Sequence, residues 1–211
     1  MSDSCIVKNE IRYDLSIIES WIADGSKVLG LGCGDGELLH ALKRRKGVIE
    51  TGIEQDESLV ACCIQKGLSV IQGDFNAELT DYPDGFFDYV ICSQTLQQVY
   101  TPPELIAEML RIGKKVVVSF PNFCHWRIRL QMLISGHVPR TKELPYEWYN
   151  TPNIRVLSLD DFRGFSRELG FRILKEAAIN SPDIRKTGRE VKVLSNLRAT
   201  YGLYLIAKNA T

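Results

Sequence analysis

The chain lacks the charge imbalance and the long apolar runs that would point to a nucleic acid or a membrane. Its 26 Lys and Arg residues equal its 26 Asp and Glu residues, so the formal net charge is zero. The densest basic patch, residues 43–46, falls at the end of a predicted helix, where cations are favoured. No apolar stretch approaches a membrane span, and the first residues lack the apolar core of a signal peptide. We therefore expect no nucleic-acid partner and no membrane association.

Cysteine pairs at metal-binding or disulfide spacing are also lacking. The 6 cysteines include no CxxC pair, and the adjacent Cys62 and Cys63 cannot easily bridge to each other. Buried, reduced thiols are the expectation, and with them a cytoplasmic protein. The sequence shows no evident metal cluster, no internal repeat and no low-complexity tract, so we predict no metal site.

The sequence does contain enough apolar material for a sizeable core. Hydrophobic residues make up 45% and charged residues 25% of 211 residues, which is ordinary for a globular protein. A chain of this length fits one domain. We expect residues 1–211 to form a single domain, with an aromatic-rich insertion at about 121–157.

Strand-like and helical segments alternate five times along the chain. The predicted strands are residues 27–31, 48–54, 69–71, 86–92 and 115–120. This alternation predicts an α/β fold with a doubly wound parallel sheet and right-handed crossovers. Residues 171–179 and 201–207 are predicted as two closing strands, and the polar, basic residues 181–198 between them as a loop.

A glycine-rich turn follows the first strand. Residues 28–36 read Val-Leu-Gly-Leu-Gly-Cys-Gly-Asp-Gly, and a helix is predicted to begin at Glu37. Glycine accepts positive φ and lets a ligand approach the backbone. The N-terminus of the helix offers unpaired N–H groups to a polar ligand. A turn of this kind also serves packing alone, which remains the alternative.

Acidic residues follow the next two strands. Glu54 ends the second strand, at about the distance after the glycines at which an acid accepts hydrogen bonds from ribose hydroxyls. Asp74 follows the third strand and could accept from the exocyclic amine of a base, with Phe75 against the ring. The alternatives are a solvated strand end for Glu54 and a turn residue for Asp74. Because the carboxyl ends of parallel strands meet at one edge, these features together predict a nucleotide-sized cleft.

This order of elements resembles the class I S-adenosylmethionine-dependent methyltransferase fold. That fold has a mostly parallel sheet of seven strands whose last strand is antiparallel. The resemblance implies S-adenosylmethionine or S-adenosylhomocysteine as a ligand. It places the cofactor-binding residues at Gly32, Cys33, Gly34, Glu54, Gln55, Asp74, Phe75 and Ser93. One departure is Gly30, which stands where such proteins usually have an acid that helps to hold the amino group of the cofactor's methionine part.

Longer motifs resemble the MetW family of methionine biosynthesis proteins. They are residues 31–39, 70–74, 93–97, 119–123 and 144–154, within a resemblance that runs from about Arg12 to about Ile173. The segment 121–154 is the specific part, because generic methyltransferases do not share it. The resemblance implies an accessory, activating subunit of homoserine O-acyltransferase (MetX). Residues 139–152, rich in aromatics and proline, are too apolar for a loop without a function, which predicts either a lid or a partner contact.

A methyltransferase acting on a small molecule is the alternative function. Residues 93–98 are polar but include no ordinary base, and there is no Asn-Pro-Pro-Tyr motif, so catalytic residues stay unassigned. His125 is the nearest candidate base, although a capping or packing role is favoured beside Trp126. Proximity alone can accelerate methyl transfer, so the lack of a base does not exclude an enzyme. A third hypothesis, cofactor sensing, joins the two: bound S-adenosylmethionine would report pathway product to the partner.

Overall fold

The computed structural model describes residues 11–141, 144–183 and 187–209. The strands are β1 Lys27–Leu31, β2 Ile49–Glu54, β3 Val70–Gln72, β4 Phe87–Ser93, β5 Gly113–Pro121, β6 Phe171–Asp183, β7 Thr187–Glu190 and β8 Tyr201–Lys208. The α-helices are α1 Tyr13–Trp21, α2 Glu37–Lys46, α3 Glu57–Gln65, α4 Phe75–Glu78, α5 Pro102–Ile112, α6 Trp126–Ser135, α7 Leu159–Leu169 and α8 Ser195–Arg198. No helix among these is long and apolar enough to cross a membrane.

The strands form one sheet in the order β3-β2-β1-β4-β5-β8-β6-β7. Strands β1 to β5 pair in parallel, and β8 lies antiparallel to β5. The predicted doubly wound, mostly parallel sheet is therefore confirmed, including its antiparallel last strand.

The predicted number of seven strands is wrong by one. The segment 181–198, expected as a loop, instead continues β6 to Asp183 and supplies β7 and α8. Strand β7 pairs only with β6 at the edge of the described sheet, and its residues are mostly exposed. An exposed edge strand needs no apolar residues, so its polar sequence resembled a loop.

Apolar side chains cover both faces of the sheet. On one face, α1 and α2 contribute Ile18 and Leu42, which are both fully buried. On the other face, Met109 of α5 and Phe162 of α7 are at most 1% exposed, and the Phe162 ring lies 4.5 Å from the ring of Tyr204. Because both faces are covered, residues 116–121 of β5 are all buried, and all of them except Ser119 are apolar.

The segment after β5, where we expect an insertion, begins at Asn122, whose side chain is held in place. The Asn122 side chain donates to the carbonyls of Asn196 and Ala199, at 2.8 Å each, and accepts from the Cys124 amide at 3.0 Å. Helix α6 follows and ends at Ser135, with Gly136 as its C-cap. Between that helix and α7, the described residues form neither helix nor strand. Helix α7 begins at a capping box made by Ser158 and Asp161.

Among the described cysteines, four are free thiols, as expected, and a fifth is not. Cys33, Cys63, Cys92 and Cys124 are free. Burial raises the pKa of Cys92 to about 12, so this thiol stays neutral. The expectation of reduced thiols is wrong at Cys62, which is disulfide-bonded.

Candidate functional site

The turn after β1 separates packing glycines from a glycine that faces open space. Gly34 and Gly36 have φ values of +60° and +76°, in the left-handed region that favours glycine. A Cβ at Gly36 would lie 2.4 Å from Leu68 Cδ1, so this glycine is needed for packing. A Cβ at Gly34 would meet nothing within 4 Å. The backbone of Gly34 is therefore the part of the turn that a ligand can approach.

Hydrogen bonds within the turn already occupy several of its amides. The Cys33 amide donates to the Ile53 carbonyl at 3.2 Å, and the Gly36 amide donates to the Cys33 carbonyl at 3.1 Å. The Glu37 amide, the first of α2, donates to Asp35 Oδ1 at 3.2 Å. The expectation that this helix start offers free amides is therefore wrong at Glu37, because Asp35 takes that donor.

The carboxylate of Glu54 is held by backbone amides on both sides. Its Oε2 accepts from the Gly34 amide at 2.8 Å, and its Oε1 accepts from the amides of Gln55 and Asp56 at 2.9 and 3.1 Å. Glu54 is thus not a loosely solvated strand end. A carboxylate has about four acceptor positions. The three backbone donors therefore leave room for one further hydrogen bond, such as that of a ligand hydroxyl.

Asp74 lies beside Glu54 but is used locally. The Gly73 amide donates to the Glu54 carbonyl at 3.0 Å, which joins the ends of β2 and β3. Asp74 Oδ1 caps α4 by accepting from the backbone and side-chain nitrogens of Asn76, at 2.9 and 2.8 Å. Phe75 is half-buried against the core. The structure shows the turn role for Asp74, and no described hydrogen bond uses its Oδ2.

A cavity of about 130 Å³ lies on the turn. Gly32, Cys33, Gly34 and Ser93 line it, so the structure brings half of the predicted site residues together there. Its volume is well below the roughly 300–1,000 Å³ of pockets that enclose a drug-sized ligand. The cavity alone is therefore too small for a nucleoside-containing ligand. Glu54, Gln55, Asp74 and Phe75 lie outside its lining, at the sheet edge that the hydrogen bond from Gly34 to Glu54 joins to the turn. We call the turn, this cavity and that edge the glycine cradle.

Charged groups from outside the predicted set also line the cavity, among them Arg12 and Glu37. The Arg12 guanidinium donates to the fully buried Asp14 at 3.1 and 2.7 Å, and the Arg12 amide donates to Glu37 Oε1 at 3.0 Å. Burial acts to lower the pKa of Arg12, but the hydrogen bonds to Asp14 together with the negative charges of Asp14 and Glu37 outweigh burial and raise that pKa. Arg12 is therefore a permanent cation at the cavity. No local sequence pattern links it to Glu37.

Packing explains why Gly30 replaces an acid. Gly30 and Gly52 are register partners on β1 and β2. A Cβ at Gly30 would lie 3.2 Å from Leu39 Cδ1 and 3.4 Å from Cys33 Cβ, and a Cβ at Gly52 would lie 2.7 Å from Cys33 Sγ. Leu39 and Cys33 thus fill the space that a side chain on either strand would need. The carboxylates that line the cavity are those of Asp35 and Glu37 instead.

Cys33 is a packing residue and not a nucleophile. Its Sγ lies 4.0 Å from that of Cys63, which donates to the Gly34 carbonyl at 3.3 Å. The hydrogen bond with Cys63, together with burial, raises the pKa of Cys33. A neutral thiol is a poor nucleophile, so Cys33 shapes the turn without offering reactivity.

The end of β4 closes the cavity on its other side. Ser93 Oγ lies 2.9 Å from Ser119 Oγ, and the Gln94 amide donates to the Ser119 carbonyl at 2.9 Å. Gln94 has a φ of +59°, which is rare for a residue with a side chain and often marks a functional site. His125, the candidate base, caps α6 by accepting from the Arg127 amide at 3.3 Å through Nδ1, as expected.

Comparisons with solved structures agree with this architecture. An S-adenosylmethionine-dependent methyltransferase of Thermotoga maritima superposes with a TM-score of 0.67 at 19% identity, covering 93% of this chain and 87% of that one. A magnesium protoporphyrin IX methyltransferase of Synechocystis, solved with bound S-adenosylhomocysteine, gives 0.64 at 16% identity, covering 93% and 82%. At such identities the likeness establishes the fold alone.

Sequence relatives identify the family. A bifunctional methionine biosynthesis protein MetXA/MetW of Rhodopirellula baltica is 38% identical over 175 residues, which are 79% of this chain and 28% of that protein. A ubiquinone biosynthesis O-methyltransferase of Methylococcus capsulatus is 35% identical over 95 residues, or 43% of this chain and 40% of that enzyme. The chain thus spans less than half the length of either relative. A family model described as methionine biosynthesis protein MetW matches residues 12–206, and the chain therefore belongs to the MetW family, with a methyltransferase-like fold.

Proposed function

We propose that this chain is an accessory subunit that binds S-adenosylmethionine in the glycine cradle and activates a homoserine O-acyltransferase, MetX. The observation that carries the proposal is the MetXA/MetW relative, in which a part similar to this chain makes up only 28% of a longer protein. When two parts that work together are joined in one chain, each is held at a high effective concentration near the other. Separate chains that work together need a binding surface instead.

The insertion supplies an exposed apolar surface suited to that contact. Leu133, Trp148 and Tyr149 are 82%, 72% and 70% exposed. Tyr and Trp are enriched at the centres of interfaces, and large exposed apolar patches mark binding sites. We define the insertion face as the exposed large hydrophobic residues of this segment: Trp126, Leu130, Met132, Leu133, Ile134, Val138, Tyr146, Trp148, Tyr149, Ile154 and Val156. Their exposure supports a partner contact over a closed lid.

The charges of the glycine cradle suit the zwitterionic end of the cofactor. Arg12 would hold the carboxylate of its methionine part, and Asp35 and Glu37 would hold the ammonium group. Glu54 would accept from a ribose hydroxyl with its remaining acceptor position, and Asp74 from the adenine amine. When bound, S-adenosylmethionine supplies an activated methyl group, or its presence reports pathway product.

Reporting pathway product requires that the cofactor prefers one state of the partner. A ligand shifts an equilibrium only by its differential affinity for the two states. We therefore expect the affinity for S-adenosylmethionine to differ between the free chain and its complex with the acyltransferase. Calorimetric titration of both would measure it, and equal affinities would remove the sensing role while leaving the accessory role intact.

A small-molecule methyltransferase is the second candidate, favoured by the 95-residue match to a ubiquinone biosynthesis O-methyltransferase. It predicts conversion of S-adenosylmethionine to S-adenosylhomocysteine with some acceptor. The described end of β4 offers hydroxyl and amide groups from Ser93, Gln94 and Thr95 and no base, so any catalysis there would rest on proximity. Product formation by the chain without MetX would favour this function.

We place the protein in the cytoplasm. Four described cysteines are free thiols, which supports a reducing compartment, while the disulfide at Cys62 weighs against one.

Co-purification tests the accessory role. A separately expressed homoserine O-acyltransferase should be retained by this chain on an affinity column and should co-elute with it from a sizing column. If the two elute separately over micromolar concentrations and the acylation rate is the same with and without this chain, the proposal fails.

A further inference from the structure

A second cavity, of about 710 Å³, lies between α6, the residues after it, and the ends of β5, β6 and β7. Its described lining residues share none with the small cavity of the glycine cradle. Its volume is within the range of pockets that enclose small organic ligands. The glycine cradle does not account for it, and of the insertion face only Trp126 lines it.

Among the described residues that line this second cavity, the formal charges are all positive. Arg127, Arg140 and Arg189 line it, and none of its described lining residues is Asp or Glu. Arg140 pairs with Glu147. Arg127 and Arg189 make no ion pair within the described residues. In a chain whose net charge is zero, two uncompensated guanidinium groups on one cavity are a local excess of positive charge.

The floor of the cavity is apolar and held in place. Ile128 and Leu144 are 5% and 6% exposed. Beside them, Asn122 is fixed by the bonds to α8 described above, and Thr200 Oγ1 accepts from the Ser181 amide at 3.0 Å. These polar groups have their partners within the chain. The floor is therefore preformed, and the exposed guanidinium groups of Arg127 and Arg189 can bind a ligand above it.

We infer that this cavity binds a small organic anion through Arg127 and Arg189, with its apolar part against Ile128 and Leu144. Guanidinium groups form paired hydrogen bonds with carboxylates and phosphoryl groups. A cavity of this volume with a preformed floor suits a small molecule better than an extended acidic peptide. The ligand would lie near the glycine cradle, because Asn122 follows β5, whose Ser119 contacts Ser93.

Calorimetry on the full chain at low salt tests this site. The probes are succinate, phenyl phosphate and, as the uncharged counterpart, dimethyl succinate. We expect one of the two anions to bind with one-to-one stoichiometry, the tighter one identifying the anionic group, and dimethyl succinate not to bind. Arg127→Gln and Arg189→Gln should each raise the Kd about tenfold, the effect of losing one charge-assisted hydrogen bond. Arg44→Gln, at an exposed arginine on α2, is the matched control and should leave the Kd unchanged.

Three results would overturn the inference. The first is a lack of saturable binding of both anions by the unmodified chain at millimolar concentration. The second is binding that persists in the Arg127→Gln, Arg189→Gln double variant with its melting temperature unchanged. The third is that inorganic phosphate or a polyglutamate peptide binds more tightly than both organic anions, which would mean a simple ion site or a peptide surface. The measurement uses this chain alone, so its outcome is independent of the accessory role.

Discussion

The glycine cradle and the insertion face differ in how far their side chains have partners within the chain. In the cradle, three backbone amides hold the Glu54 carboxylate, and Arg12 is paired with a buried Asp14. On the insertion face, Trp148 and Tyr149 contact each other edge to face at 5.7 Å but remain mostly exposed. A preorganised site binds a small ligand at low ordering cost, whereas an exposed apolar surface gains its stabilisation only from another molecule.

The largest expected effect tests the insertion face. Replacing Trp148 and Tyr149 together by Ala should weaken association with the acyltransferase by about 2–4 kcal/mol, because large aromatic residues dominate interface energies. The stability of the free chain should change little, since both rings are exposed. Surface plasmon resonance would measure the first effect and thermal melting the second. Ile64→Ala, at an exposed apolar residue on α3, is the control. Unchanged affinity of the double variant would remove this face from the interface.

The next effect tests how far the cradle depends on its internal pairs. Arg12→Met should lower the free energy of unfolding by about 3 kcal/mol, because it leaves the fully buried Asp14 without its cation. Urea denaturation would measure the change. The double variant Arg12→Met, Asp14→Leu should recover most of the loss, since no charge then stays buried. A single variant as stable as the unmodified chain would show that the pair adds nothing to the cradle.

Sequence patterns predicted the elements that are buried on both sides or set by glycine. Strands β1, β4 and β5 were recognisable because burial on both faces demands runs of apolar residues. The adjacency of Glu54 and Asp74 followed from parallel strands alone. Strand β7 and helix α8 were missed because neither contains a fully buried residue, so neither carries such a signal.

Groups that meet across long sequence distances were also beyond prediction. Arg12 contacts Glu37 because α1 packs beside α2. Leu39 fills the space beside Gly30 only once β1 and β2 are paired. The arginines of the second cavity come from α6, the segment after it and β7, and no short motif joins them. Whether the residues of the insertion face are exposed depends on the tertiary fold. Its sequence pattern therefore predicted a lid and a partner contact equally well.

A smaller effect tests whether the cradle binds its ligand through Glu54. Glu54→Ala should weaken S-adenosylmethionine binding by about 1–3 kcal/mol, the range for losing a hydrogen bond to a charged group. Calorimetry would measure it, with melting curves to confirm that the turn stays folded. Glu57→Ala, at an exposed carboxylate one turn away, is the matched control. If affinity is unchanged, Glu54 holds the turn but not the ribose.

The smallest effect lies away from both regions, at the start of β4. The Asp88 carboxylate accepts from Lys114 Nζ at 2.8 Å and from the Lys27 amide at 2.9 Å, and these hydrogen bonds hold its pKa below the usual range. A lowered pKa stabilises the folded state above the unfolded value near 4 and stops doing so as pH falls through the folded value.

We therefore expect Asp88→Asn to lower stability at pH 7 by less than about 1 kcal/mol, because the pair is partly exposed. The difference from the unmodified chain should shrink as the pH falls below about 4. Unfolding midpoints measured from pH 2.5 to 7 would show it. A difference that grows toward acid would contradict the assignment. Binding of the cofactor and of the acyltransferase should be unaffected at pH 7.

The rate of homoserine O-acyltransferase as a function of the concentration of this chain tests the accessory role most directly. We predict that the rate rises and saturates with the unmodified chain and with Ile64→Ala. The Trp148→Ala, Tyr149→Ala variant, folded but lacking its exposed aromatic rings, should leave the rate at its starting value. A rate that does not respond to the unmodified chain at any concentration, with S-adenosylmethionine present or absent, would contradict the account.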